Sequence, residues 1–262
     1  MKWYKLNRNY LIKINRYFNL IGIYLIKIFF LKNLFKFISQ YLLFKKLGGK
    51  VKSFYPILDD FKDKAGPTKN QFFHSDLLTS QKVFEKKPLK HLDIGSRIDG
   101  VVAQIASYRE LDVLDIRDLE IKPHKNINFL KKDLTDIAKL SDDEKYDSIS
   151  SIGCLAHIGL GRYGDKIDPQ GYKKGIRSIN EFSKEKCNVY ILVPVGIERV
   201  EFNAHNIFDA KKIVKEFEIY NFDLKEFHLI TDDGNLVLNS KIEESENLSF
   251  GGGYFVFQKL YN

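Results

Sequence analysis

From Lys90 onward, short runs with strand character recur at the spacing of a strand–helix alternation, and no other feature restricts the fold as much. The runs are His91–Ile94, Leu111–Ile116, Ile127–Leu130, Ser148–Ile152, Asn188–Val193, Lys225–Thr231 and Tyr254–Gln258. Helical patterns lie between most of them, at Val101–Tyr108, Thr135–Lys139, Pro169–Phe182 and Asp209–Phe217, and Phe72–Glu85 reads as a helix leading in. Strands this short and apolar are buried on both faces, which calls for a mostly parallel sheet covered by helices on each side. Only the polar stretch Asp232–Leu248 joins the last two, so they are expected to form an antiparallel hairpin. The predicted class is α/β, with a mostly parallel seven-stranded sheet, an antiparallel edge hairpin and N-terminal amphipathic helices.

Charge divides the chain. Residues 1–50 hold eleven Lys or Arg and no acid, whereas residues 51–262 hold 31 basic and 34 acidic residues, so the net charge of +8 comes from the N-terminal segment. Nucleic-acid binding needs clustered positive charge on the folded domain, and the composition of 51–262 speaks against it. The run Tyr17–Leu31 is interrupted by Lys27 and followed by Lys32 and Lys36. A spanning helix wants about 20 predominantly apolar residues, and a central lysine costs roughly 2.5–3.5 kcal/mol. Lys13, Arg16, Asn19 and Lys27 share one helical side, while Lys32, Asn33, Lys36 and Gln40 share the opposite one. Two amphipathic helices broken near Phe30 fit that pattern, with an anionic membrane surface as the expected partner of residues 1–50. Packing within the protein or against a second subunit, and a true span, remain the alternatives. Two segments are therefore expected, a basic helical one over 1–50 and a globular domain over 51–262. Two cysteines without metal-type spacing, Cys154 and Cys187, suit a reducing compartment.

Lys90–Arg97, KHLDIGSR, is a strand ending in Asp93-Ile94-Gly95, followed by Ser96 and Arg97. In open parallel sheets the ligand crevice lies beyond the carboxyl ends of the strands, and a glycine there lets backbone approach a ligand. The second strand ends at Asp115, 22 residues after Asp93, the spacing at which a carboxylate accepts hydrogen bonds from ribose hydroxyls. The third runs into Lys132-Asp133-Leu134, bringing another acid to the same rim. A Gly-x-Gly-x-x-Gly dinucleotide turn is absent.

After the fourth strand comes Ile152–Pro169, IGCLAHIGLGRYGDKIDP, too irregular for a regular element. His157 is the candidate general base, because imidazole has the unperturbed pKa that suits proton removal near neutrality; a histidine bonding the loop backbone is the alternative. Arg162 either presents its planar fork to a phosphate or carboxylate of a substrate, or pairs with Asp165 or Asp168. Asp165 stays a catalytic candidate. Asp168-Pro169 reads as an N-cap with proline opening the helix. Tyr163, Asn203 and His205 are candidate substrate contacts, and His74 and Asp76 are weaker ones. A metal site from His157, His205 and Asp165 has no support in their spacing, so none is expected.

Asp93, Gly95, Asp115 and Asp133 together resemble the class I S-adenosylmethionine-dependent methyltransferases. The resemblance implies a Rossmann-like fold, with Asp93 and Gly95 (beside Ser96) facing the methionine part, Asp115 the ribose, and Asp133 with Leu134 the adenine. Arg97 and Asp99 stand where that family's turn has further glycines, and Arg97 then either closes over the cofactor's carboxylate or marks a different cofactor. The segments HLDIGSRIDG, LDIR, AHIGLGRYGDKIDPQG and PVGIERVEFNAHNIF are similar to the bacterial family catalogued as domain of unknown function 268, over about Phe54–Phe257. That family is often found among cell-surface polysaccharide genes; Ala156 departs from it, where an acid is expected before His157. The implied activity is an S-adenosylmethionine-dependent methyltransferase acting on a sugar or small surface-glycan precursor, in the cytoplasm at the inner membrane face. A non-catalytic, membrane-associated partner of a glycan-assembly complex is the rival reading.

Overall fold

The computed structural model describes residues 18–20, 22, 31–119, 121, 124–136 and 140–261, which fall into two units, residues 1–66 and 67–262. Lys13, Arg16, Lys27 and the expected break near Phe30 lie outside the described residues, as do residues 137–139 of the expected helix Thr135–Lys139. In the first unit a 3-10 turn, Leu31–Asn33, leads into α1, Leu34–Lys46. Phe37 and Tyr41, one turn apart on α1, both pack on Phe54 at ring-centroid distances of 6.3 and 4.9 Å. Phe35, Leu42 and Leu43 of α1 are exposed, close in sequence to Lys36, Lys45 and Lys46. Among the described residues no helix is long and apolar enough to cross a membrane.

The second unit opens with α2, Gln71–Lys86, capped by Asn70, whose Oδ1 accepts from the Phe72 amide at 2.8 Å. Its sheet is built from β1 His91–Ile94, β2 Leu111–Asp115, β3 Ile127–Lys131, β4 Tyr146–Ile152 and β5 Ser183–Val195. After a separate hairpin of β6 Arg199–Glu201 and β7 His205–Ile207, it is completed by β8 Phe222–Ile230, β9 Leu236–Val237 and β10 Gly251–Lys259. The order is β3-β2-β1-β4-β5-β10-β8-β9. β1 to β5 run parallel, in registers such as Leu92↔Asp112 and Leu92↔Ile149, and β10 is antiparallel to both β5 and β8.

Alternation along the central strands supplies both cores. Ile191, Val193, Phe255 and Phe257 join one cluster, packed with Ile176 and Ile179 of α3, Gly171–Phe182, and with Phe217 of α4, Ala210–Glu218. Tyr190, Leu192, Tyr254 and Val256 join the other, with Val83 of α2 and with Val101 and Ile105. Phe217 stacks on Phe257 at 4.2 Å and 12°, both rings fully buried; truncating either to alanine costs about 3–5 kcal/mol.

The Rossmann-like α/β class and the antiparallel pairing of the last two long strands stand as expected. Among the described residues the sheet has eight strands rather than seven, because the two-residue β9 extends the edge beyond β8; within the antiparallel pair β10 is the inner strand, between β5 and β8. β10 begins at Gly251, three residues before the expected Tyr254, and Gly251–Gly253 are buried inside it. The order reverses between β1 and β4, and that switch point opens a crevice beyond the carboxyl ends of the strands.

Candidate functional site

A cavity of about 670 Å³ occupies that crevice. One wall is made by the tips of β1, β2 and β3. Gly95 follows β1 with φ +64°, and a Cβ on it would stand 2.5 Å from Cys154 Sγ, so both its backbone and its surroundings demand glycine. Burial pushes the Cys154 thiol up to about 12, so this neighbour is an uncharged, apolar surface.

Asp93 and Ser96 do not reach the cavity. Asp93 is fully buried and accepts from the Ser96 amide at 3.2 Å, Ser96 Oγ at 2.8 Å and Ser150 Oγ at 2.5 Å. Ser96 Oγ in turn accepts from the Ile152 amide at 3.0 Å, so the pair ties the glycine turn to β4. Ser150 gives its one hydrogen to Asp93, so His91 Nε2 must donate to Ser150 at 3.1 Å and His91 Nδ1 must accept from Ser148 at 2.8 Å. Burial raises Asp93 to about 6 and lowers His91 to about 3. Arg97 lines the cavity, with its head held by exposed Asp99 through Nε at 3.1 Å and Nη2 at 2.6 Å.

Asp115, Asp133 and Leu134 all line the same wall. The nearly buried Asp115 carboxylate is gripped by Arg117, whose Nε reaches Oδ1 at 2.9 Å and Nη2 reaches Oδ2 at 2.5 Å. Arg117 closes the segment LDIR, and nothing in the pattern of that segment predicts the grip. Asp133 Oδ1 accepts from the Thr135 amide and hydroxyl, both at 2.8 Å, which leaves Oδ2 without a partner among the described residues.

The opposite wall is the loop after β4 and the β6–β7 hairpin, clipped together by two backbone carbonyls. Ala204 O accepts from His157 Nδ1 at 2.7 Å and Arg162 Nη1 at 2.8 Å. Ala156 O accepts from the Asn206 amide at 2.8 Å and Nδ2 at 3.1 Å. Ala156 is fully buried, so an acid at this position would be forced into the core. The His157 contact places its hydrogen on Nδ1, and among the described residues the Nε2 lone pair has no partner. Burial, helped by the Arg162 charge, lowers His157 to about 4; it is a weaker base than an unperturbed imidazole.

Asp165 lines the cavity but is committed to the loop: Oδ2 accepts from the amides of Gly159 at 2.7 Å and Gly161 at 3.1 Å, and Oδ1 from Tyr163 at 3.2 Å. Asp168 accepts from the Gln170 amide at 2.9 Å and pairs with Lys174 at 2.7 Å. The helix begins at Gly171, so Pro169 precedes it rather than opening it. Neither acid pairs with Arg162. Tyr163 lies between two guanidiniums, Arg117 at 5.0 Å and Arg162 at 5.1 Å from its ring. His205 faces His157 at 6.3 Å and sits 3.3 Å from Glu201 Oε2, while exposed Asn203 does not line the cavity.

A third wall was not read from the sequence: Lys69–Phe72 at the start of α2, Thr231–Gly234 after β8, and Phe250. Asp232 accepts from the amides of Ser249 and Phe250 at 2.9 and 2.8 Å, and Gln71 donates to Phe250 O at 3.0 Å. His74 meets Gly234 O at 3.2 Å behind this wall, and buried Asp76, raised to about 7 by burial, also stays outside the cavity. Among the described residues no three His, Cys, Asp or Glu side chains are grouped to hold a metal ion.

The family model described as "Caenorhabditis protein of unknown function, DUF268" matches residues 109–259. No curated protein matches the chain. Among solved structures, the 1,6-didemethyltoxoflavin-N1-methyltransferase of Burkholderia thailandensis, with bound 1,6-didemethyltoxoflavin and S-adenosylhomocysteine, is similar at 12% identity and a TM-score of 0.50, covering 85% of this chain and 87% of that one. The 4+2 cyclase SpnF is similar at 10% identity and a TM-score of 0.50, covering 88% of this chain and 96% of that one. The chain belongs to the DUF268 family and has the fold of the class I S-adenosylmethionine-dependent methyltransferases.

Proposed function

We propose that the chain is an S-adenosylmethionine-dependent methyltransferase acting on a small molecule. The fold alone does not carry this reading, because the similar SpnF is a cyclase. What carries it is one cavity wall that offers Gly95, Asp115 and Asp133 together at three neighbouring strand ends. The donor set suits the cofactor. Asp115 accepts from ribose hydroxyls once Arg117 shares or yields its oxygens, the spare oxygen of Asp133 accepts from an exocyclic amine, and Leu134 with Ile158 offers apolar cover to a base. A volume of about 670 Å³ lies within the range of ligand sites, roughly 300–1,000 Å³. When bound, S-adenosylmethionine supplies an electrophilic methyl group.

His157 Nε2 is the acceptor for a substrate hydroxyl proton. With a pKa near 4 it orients the nucleophile by hydrogen bonding more than it removes the proton outright. Tyr163 and His205 border the substrate. A sugar or surface-glycan precursor as substrate is supported by the resemblance of AHIGLGRYGDKIDPQG alone. Attachment to an anionic membrane surface is supported by the exposed apolar and basic residues of α1.

Calorimetric titration with S-adenosylmethionine and S-adenosylhomocysteine tests the activity: binding of both at micromolar concentrations supports it, and a folded chain that binds neither overturns it. Co-sedimentation with anionic liposomes that weakens at high salt tests the membrane reading.

A further inference from the structure

Charged side chains on the cavity wall have their charges answered in different ways. Arg117 is matched by Asp115 and Arg97 by Asp99. Among the described residues, no carboxylate stands within ion-pair distance of Arg162. The two acids of its own loop are spent elsewhere, Asp165 on three backbone amides and Asp168 on Lys174 and the Gln170 amide. Arg162 is nevertheless held in place, by Ala204 O at 2.8 Å and by the Tyr163 ring. Among the described residues that leaves Nη2 and Nε with no partner, on a head whose position is fixed at two points. Among the described residues Lys69 and Lys132 also line the cavity without ion pairs, but as exposed ammonium groups on long stems they have no comparable tether.

We propose that Arg162 is the oxyanion-binding residue of the acceptor subsite, and that the acceptor carries a phosphoryl or carboxylate group received by its free Nη2–Nε edge. Two parallel N–H groups match two oxygens of either anion, and the anion supplies the counter-charge that the loop withholds. His157 and Arg162 share the Ala204 carbonyl, so an anion seated on Arg162 brings the attached molecule within reach of His157 Nε2. The inference rests on the methyltransferase reading for the word acceptor, but its anion subsite is testable without it.

Full-length protein loaded with S-adenosylhomocysteine is titrated separately with inorganic pyrophosphate and with glucuronate, which distinguishes a phosphoryl from a carboxylate ligand. The expected result is saturable binding of at least one, weakened about 10- to 100-fold in Arg162→Ala and less in Arg162→Lys. Affinity for S-adenosylhomocysteine should change less than about twofold in both variants. Arg177→Ala, on the exposed side of its helix, controls for overall charge and should leave anion binding intact. The proposal is overturned if neither anion binds, if Arg162→Ala binds as wild type does, or if Arg177→Ala loses as much affinity. If S-adenosylhomocysteine itself does not bind, the methyltransferase reading fails, and the same titrations on the unloaded chain decide the anion subsite.

Discussion

The two main walls of the cavity are built on different principles. The β1–β3 wall is made of strand ends: Gly95, Asp115 and Asp133 stand where they do because a parallel sheet puts the carboxyl ends of its strands at one rim. The facing wall is made of loop, and its shape depends on contacts between segments far apart in the chain. His157 and Arg162 are oriented by Ala204, 47 and 42 residues away. A sheet-built wall suits a ligand that stays the same, and a loop-built wall suits one that varies. Substitutions on the first should therefore damage fold and cofactor binding together, and substitutions on the second should leave cofactor binding alone.

Gly95→Ala should have the largest effect. A left-handed φ costs a non-glycine residue about 1–2 kcal/mol, and crowding Cys154 adds about 1–3 kcal/mol. A loss of roughly 2–5 kcal/mol in urea unfolding should accompany undetectable S-adenosylhomocysteine binding. Adding Cys154→Ala should recover the crowding part of the stability but not the backbone part. If Gly95→Ala unfolds at the wild-type midpoint, the strand-end wall is not rigid and the contrast collapses.

Asp115→Ala comes next. Losing a charged acceptor for ribose hydroxyls should weaken S-adenosylhomocysteine about 10- to 100-fold by calorimetry. Arg117→Ala sharpens this result, because it frees both Asp115 oxygens. Affinity should hold or rise; a fall as large as that of Asp115→Ala would mean that the guanidinium itself touches the cofactor.

The same contrast explains what could be read from the sequence. β1 was expected at His91–Ile94 and is found there, and Asp115 was expected to close β2 and does. Runs of buried residues locate strands, and strands locate rims. The direction in which a side chain spends its hydrogen bonds is not contained in that pattern. Asp93 has the right spacing for a ligand contact, yet turns inward to Ser96 and Ser150, partners that periodicity does not pair with it. The β6–β7 hairpin was missed because Arg199, Glu201 and His205 interrupt any apolar alternation, and it pairs with itself outside the main sheet. Asp165 is a catalytic candidate by sequence, and the three amides its carboxylate accepts from, invisible in that pattern, make it the loop's brace.

Asp165→Ala should accordingly cost about 1–3 kcal/mol in thermal or urea unfolding, through amides left unpaired. S-adenosylhomocysteine affinity should stay within about twofold, because the brace serves only the loop wall. A tenfold loss of cofactor affinity would instead couple the two walls and break the distinction between them.

The smallest expected effect is electrostatic and bears on His157. Its folded-state pKa is about 4 against an ordinary 6.5, lowered first by burial and then by the Arg162 charge. The folded chain therefore binds fewer protons than the unfolded chain between these two values. The histidine's stabilising contribution is complete above 6.5 and is lost as pH falls through the window to about 4. His157→Gln should flatten part of the acid limb of a stability–pH curve, and only part, since burial also lowers His91, His205 and His228. Observed directly by NMR, the imidazole should titrate near 4 in the wild type and higher in Arg162→Ala, while Asp115→Ala leaves it closer to where it was. An imidazole that titrated at its ordinary value would be wetter and more basic than this geometry allows, and His157 would then act as a full general base on an open wall.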